Sequence, residues 1–298
     1  MSTFLPLTKQ SMEIKRSFLP GDHWLYLKIY TGIKTADSIL QYVIEPLTQS
    51  LLEDQKISHW FFIRYKDEFS HLRLRIYVSD HTCSDEVLHA LMSGMKDYVS
   101  SGEISNILSD TYTREIERYG ESAVSHAEVL FYHNSILTLP FLWIDDEEKL
   151  MCIMFYIDQI LSEINLPIAQ KLEWIKNTNY LFKEEFNADK KLNQQLDKKY
   201  RIFYPKFSDF LQSEDFSEFR EMVTANIALS KDTLEELLLL SENDPSITLQ
   251  YFFQSIFHMA VNRLFISEQR LFEMITYDYL YRYYKTLLFR NNNQISTV

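Results

Sequence analysis

Two runs decide the fold: Trp60-Phe61-Phe62-Ile63-Arg64-Tyr65 and, after a short polar turn, His71-Leu72-Arg73-Leu74-Arg75-Ile76-Tyr77-Val78. Successive side chains of a strand point to opposite faces. His71, Arg73, Arg75 and Tyr77 therefore project together, while Leu72, Leu74, Ile76 and Val78 fill the other face. The tight spacing of the two runs predicts an antiparallel hairpin. Upstream, Trp24-Leu25-Tyr26-Leu27-Lys28-Ile29-Tyr30 is another period-2 run, with aromatics and Lys28 on one face and aliphatics on the other. Apolar residues at helical spacing predict a helix over about 35–53 and another over 85–99. The segment 104–119 reads as extended. Strand, helix, strand, strand, helix, strand is the ferredoxin-like split βαβ pattern.

Beyond Gly120 the pattern changes. Apolar stripes with few breakers predict helices over 128–136, 147–164, 168–186, 213–240 and 249–288. The stretch 187–199, rich in Asp, Lys and Gln, predicts a mobile connection. The expected class is α+β, a small antiparallel sheet followed by a larger helical portion. The chain is expected to be a single unit over 1–298, sheet-containing over 18–120 and mainly helical over 121–298.

Composition narrows the function. Hydrophobic residues make up 46% and charged residues 24%, ordinary for a globular protein. Only 5 glycines and 7 prolines occur, which favours helices over long loops, and 21 Phe with 19 Tyr imply thick aromatic packing. A net charge of −12 argues against direct nucleic-acid binding, which needs a basic surface. Cys83 and Cys152, far apart, suggest neither a disulfide framework nor a zinc site. The first 18 residues lack the apolar core of a secretory signal, and no run approaches the roughly 18 apolar residues of a membrane span. A cytoplasmic location is the expectation.

Three segments carry groups able to do chemistry. In the His71–Arg75 strand, closely spaced cations repel one another unless carboxylates or an anionic ligand answer them. A salt-bridged sheet face and a carboxylate-binding surface both fit, since a guanidinium fork matches a carboxylate. In Arg114-Glu115-Ile116-Glu117-Arg118-Tyr119-Gly120, an extended chain would put Arg114, Ile116 and Arg118 on one face; an edge strand protected by charge is the alternative. In 254–264, Gln254, His258 and Asn262 lie four apart and form a polar stripe on a helix. His258 is either a satisfied core histidine or a general acid/base. His126 and His133 flank Glu128, but neither a cysteine pair nor an HExxH pattern supports zinc. The absence of GxGxxG, P-loop and GxSxG patterns disfavours a nucleotide cofactor and a serine hydrolase.

Taken in order, four blocks resemble a known family. Phe18-Leu19-Pro20-Gly21-Asp22-His23-Trp24-Leu25-Tyr26-Leu27-Lys28, the 60–75 hairpin, the block Tyr112 to Gly120 and His258-Met259-Ala260-Val261-Asn262-Arg263-Leu264 resemble the thiopeptide-type bacteriocin biosynthesis domain. That domain is the glutamate-elimination domain of class I lanthipeptide dehydratases, here in the form of a stand-alone chain. The resemblance implies that a separate, glutamyl-tRNA-dependent glutamylation subunit esterifies Ser or Thr of a precursor peptide. The elimination unit then expels glutamate from the glutamylated peptide to leave dehydroalanine or dehydrobutyrine. It further implies catalytic roles for His258, in proton transfer, and for Arg75 and Arg118, which would hold the glutamyl group. Arg73, Lys28 and Arg64 would support the same pocket, and Glu115 would orient an arginine. No metal or organic cofactor is implied.

The chain departs from the family pattern at Gly120-Glu121, where RYGG is usual, at Asn134, where an acidic residue is frequent, and at Ala260, where a second histidine is common. Two other functions stay open. One is a pyridine synthase, which joins two dehydroalanines on a related scaffold; the other is a non-catalytic subunit that binds the precursor peptide. Oligomeric state is open as well, a homodimer included.

Overall fold

The computed structural model describes residues 14–295. The expectation about the N-terminal segment falls mostly outside them, as do the ends of the 1–298 unit. Strand β1 (Ser17–Phe18) precedes β2 (Trp24–Thr31). Helix α1 (Ile33–Ile39), a π-helical turn (Leu40–Ile44) and α2 (Glu45–Glu53) follow without a break. Pro46 sits at the start of α2, where its missing N–H cannot donate backward; the widened π turn just before it absorbs that defect. The hairpin is β3 (Ile57–Lys66) and β4 (Ser70–Val78), and α3 (Ser84–Ser100) leads into β5 (Ile104–Ser109).

The four long strands form a sheet in the order β3-β4-β2-β5, each neighbouring pair antiparallel. One face carries Leu25, Leu27, Ile29, Trp60, Phe62, Leu72, Leu74, Ile76 and Val78, which pack on Ile39, Leu40, Val87, Leu91 and Met95 of the flanking helices. Nearly complete burial of that many aliphatic and aromatic side chains, each contributing about 1.5–3 kcal/mol, anchors the strand register. The other face presents Trp24, Tyr26 and Phe61 to a second, larger core built by the helical half.

After β6 (Tyr112–Thr113), which pairs with β1, the chain does not stay extended. A single helical turn, α4 (Ile116–Tyr119), ends at Gly120, whose φ of +81° is the left-handed conformation that glycine adopts without strain. The common face expected for Arg114, Ile116 and Arg118 therefore does not exist. The helices are α5 (Val124–Thr138), α6 (Asp146–Glu163), α7 (Ile168–Glu185), α8 (Lys190–Gln212), α9 (Ser217–Leu229), α10 (Lys231–Asn243), α11 (Leu249–Leu264) and α12 (Gln269–Ile295).

Three expectations are corrected here. The stretch 187–199 is mostly the start of α8: Asp189 caps it by accepting from the Leu192 N–H at 2.8 Å, and Leu196, Tyr200, Phe203, Phe207 and Phe210 form its buried stripe. The polar first turns hid that stripe. The single helix expected over 213–240 breaks at the buried Ser230, and that over 249–288 breaks at 265–268, where Glu268 has a φ of +53°. Among the described residues no helix is long and apolar enough to cross a membrane.

Two polar features tie the halves together. Glu128 on α5 is buried, accepts from Arg114 Nε at 2.8 Å and Nη2 at 2.6 Å, and accepts from the Tyr112 hydroxyl at 2.8 Å. This bidentate pair pins the end of β6 against the helical core. Beside it, His59 stacks on Tyr77 at 4.9 Å and meets the Trp24 ring edge-on at 5.0 Å. Burial, with repulsion from Arg114 and His133, pushes its pKa from 6.5 down to about 4.

Glu128→Ala strips a half-buried guanidinium and the buried Tyr112 hydroxyl of their partner and should cost about 1–3 kcal/mol, read as a lower urea midpoint at unchanged slope. His59 sets a pH dependence. The unfolded chain takes up a proton near 6.5, whereas folded His59 refuses it until about 4. Its stabilisation is therefore complete above pH 6.5 and is lost as the pH falls through that window. His59→Phe should flatten the fall in denaturation midpoint between pH 7 and pH 5; an unchanged slope would show that His59 is not the titrating group.

Candidate active site

Arg75 sits at the centre of β4, opposite Tyr26 of β2 and Phe61 of β3. That register wraps its guanidinium in rings: the centroids of Tyr26, Tyr112 and Phe61 lie 4.6, 4.9 and 5.3 Å from the guanidinium carbon. Aromatic faces stabilise a desolvated cation without neutralising it. Arg75 Nε finds no hydrogen-bond partner among the described residues, and the residue is 8% exposed. The side chain borders a small cavity of about 30 Å³ with Tyr112, Glu115, Tyr119, Glu128 and Met259.

Next to this cavity lies a wider cleft of about 280 Å³, walled by Arg118, Tyr251, Gln254, His258, Arg270 and Glu273. The α4 turn and α11 form the wall between the two spaces. Glu115 faces the small cavity and pairs with Arg118 on the cleft side at 3.2 Å, and His258 and Met259 are neighbours on α11 facing the cleft and the cavity respectively. Within the cleft, His258 Nδ1 is 2.9 Å from Oε2 of the buried Glu273. An ionised carboxylate can only accept, so Nδ1 carries the hydrogen and Nε2 is left to take up or release a proton. The structure thus brings His258 and Arg118 together in the cleft, while Glu115, paired with Arg118, lines the small cavity with Arg75.

The remaining sequence candidates are placed differently. Lys28 and Arg73 are cross-strand neighbours on the same sheet face as Arg75, one pair further along. Lys28 binds Asp110 at 2.6 Å, and that hydrogen bond holds its pKa above the usual lysine value. The Arg73 guanidinium stacks 3.3 Å from the Tyr65 ring centroid and its Nε reaches His71 Nε2 at 3.3 Å. Arg64 does not share the pocket. It points through the opposite face of β3, pairs with the buried Asp37 at 2.5 Å and donates through Nε to the Arg263 carbonyl at 2.9 Å. Strand alternation explains the correction: Phe61, Ile63 and Tyr65 share the face of Arg75, and Arg64 cannot.

The stripe on α11 also divides. Gln254 and His258 line the cleft, whereas Asn262 accepts from the Arg64 N–H and donates to the Arg64 carbonyl, each at 2.9 Å, clamping α11 to β3. Residues absent from the sequence reading are Glu273 and Arg270, which stand on α12, separated from His258 by the helix break at 265–268. No local pattern flags them. Arg263 was quoted only as part of a motif. It is fully buried, donates to the Phe62 carbonyl at 2.7 Å and to Asn134 Oδ1 at 3.3 Å, and lies 4.8 Å from the Phe131 ring. Burial pushes its pKa down to about 9, so it remains a cation at neutral pH.

A family profile described as lantibiotic biosynthesis dehydratase C-term matches residues 24–284. Nisin biosynthesis protein NisB of Lactococcus lactis subsp. lactis is 26% identical over 275 residues, covering 86% of this chain and 26% of that protein. Subtilin biosynthesis protein SpaB of Bacillus subtilis is 24% identical over 267 residues, covering 85% and 25%. The chain thus spans about a quarter of the length of these relatives. Among solved structures, the tRNA-dependent lantibiotic dehydratase MibB from Microbispora sp. 107891 superposes with a TM-score of 0.66 at 17% identity, over 97% of this chain and 29% of that one. The pyridine synthase TbtD from thiomuracin biosynthesis shares the fold at a TM-score of 0.57 and 10% identity, over 89% of this chain and 100% of TbtD. With blocks that run in order from Trp24 to Leu264 and a profile match over most of its length, the chain belongs to the lantibiotic biosynthesis dehydratase C-terminal family.

Proposed function

We propose that the chain eliminates glutamate from glutamylated Ser or Thr side chains of a ribosomally made precursor peptide, leaving dehydroalanine or dehydrobutyrine. The observation that carries this reading is the convergence in one cleft of His258, oriented by a buried carboxylate, and Arg118, with Arg75 behind the Glu115 wall. A peptide Cα–H is a weak acid. Removing it calls for a positioned base and for cations near the charge that develops on the carbonyl. His258 Nε2 takes the Cα proton, the Cβ–O bond breaks, and the Cα=Cβ double bond forms as glutamate leaves as a carboxylate. Arg118 and Arg75 answer the negative charge of the glutamyl group, and Glu115 orients Arg118. Lys28 and Arg73 extend the same electropositive sheet face and guide the peptide. Neither metal nor organic cofactor enters this scheme.

The reading places a glutamyl-tRNA-dependent subunit upstream, since the substrate must arrive already glutamylated. The competing reading is a formal cycloaddition of two dehydroalanines, favoured by the near-complete coverage of the pyridine synthase TbtD. Purified protein is to be given a glutamylated precursor peptide in one reaction and a dehydrated precursor in another, with both followed by mass spectrometry. Elimination predicts free glutamate and a dehydrated product from the first, and no ring formation from the second. His258→Ala and Arg75→Ala should slow glutamate release by about 10²–10⁴-fold and accumulate the glutamylated peptide while remaining folded. Ring formation from the dehydrated peptide would establish the synthase instead, and peptide binding without either product would leave a recruiting subunit.

A further inference from the structure

Glu273 is 3% exposed, yet its carboxylate reaches the edge of the cleft. Its Oε2 accepts from His258 Nδ1 at 2.9 Å and from Arg270 Nη1 at 2.7 Å. Arg270 is itself held by α7: its Nε donates to Glu185 Oε1 at 2.9 Å, its Nη2 pairs with Glu185 Oε2, and its guanidinium lies 4.3 Å from the Phe182 ring. The Arg270 guanidinium gives the buried carboxylate a counter-charge, and a carboxylate acceptor in turn calls for a hydrogen on His258 Nδ1. The result is a linear relay, Glu185 to Arg270 to Glu273 to His258, running from the outside of α7 into the cleft.

On the reading of His258 as the proton-transfer group, we propose that Glu273 is its positioning residue and that Arg270 holds the Glu273 carboxylate in place for that task. Glu273 touches no reacting atom. It selects the Nδ1–H tautomer, turns Nε2 toward the cleft and stabilises the imidazolium that forms when the Cα proton is taken. Arg118 lines the same cleft and repels that imidazolium, so the Glu273 carboxylate also balances the charge of the site.

The structural arm of the test uses the unmodified protein. Nitrogen and carbon chemical shifts of the His258 imidazole, assigned through loss of its signals in His258→Gln, should report the Nδ1–H tautomer for the neutral ring. A ring protonated on Nε2 would overturn the proposal whatever the enzyme catalyses. The kinetic arm uses Glu273→Gln and Glu273→Asp on the glutamylated peptide. The glutamine variant should lower kcat for glutamate release by roughly 100-fold, the lower range for a positioned proton-transfer group, with KM unchanged. The aspartate variant should recover part of that loss. Equal kcat values in parent and glutamine variant would sink the positioning role. No glutamate release from the parent protein would instead sink the elimination reading, with the tautomer measurement still deciding the Glu273–His258 pairing.

Discussion

The interaction on which the rest depends is the enclosure of the Arg75 guanidinium by Tyr26, Phe61 and Tyr112. A strand covered on both faces normally reads as continuously apolar, because a buried cation pays a large desolvation cost. Here β4 is covered on both faces yet keeps arginine at its centre, because ring faces take the place of water without discharging the cation. The arrangement needs the β2-β4-β3 register to be right to the residue, since a shift by one would turn Arg75 into the aliphatic core and Leu74 toward the small cavity. The aliphatic core on the opposite face enforces that register. Site and fold are consequences of a single alternation.

The helical half contributes what the sheet cannot. Sheet side chains are fixed in a row, which suits a line of cations along a peptide-sized surface. On the proposed reading His258 needs a partner behind its ring, and two helices supply the pair: His258 on α11 and Glu273 on α12. The α4 turn joins the two contributions, with Glu115 facing the Arg75 cavity and Arg118 facing His258. Gly120 ends the turn in a conformation other residues reach only with strain, and so directs the chain into α5 after barely one helical turn.

The clamp of Asn262 onto the backbone of Arg64 shows how the halves are kept in register with each other. An amide side chain that both donates to and accepts from one residue of β3 imitates a neighbouring strand. It fixes α11 along and across the sheet at a position one turn beyond His258. The buried Arg263 beside it bonds the Phe62 carbonyl, so consecutive residues of α11 hold alternate residues of the same strand. The polar residues of the 258–264 block thus divide between the cleft and the α11–β3 junction, a division that their helical spacing alone does not reveal.

Much of the sheet was legible because the period-2 alternation of 24–30 and 71–78 reports directly which face is buried. It also contained the means to place Arg64 correctly, since Arg64 falls on the face of Phe62 rather than of Phe61. The α4 turn was not legible: four residues are too few for a helical period to stand out from an extended run with alternating charge. The start of α8 was hidden for a related reason, its capping residue and solvent-facing first turns having the composition of a loop. By itself, then, the sequence determined the strands, their inner and outer faces, most helices and the family blocks that single out Arg75, Arg118 and His258. Tertiary structure alone decided that Arg64 belongs to Asp37, that Asn134 and Asn262 serve the α11–β3 junction, and that Glu273 stands behind His258. The physical reason is range: periodicity encodes which face of an element is buried, whereas the partner of a side chain fifteen residues away across a helix break is set by how two helices cross.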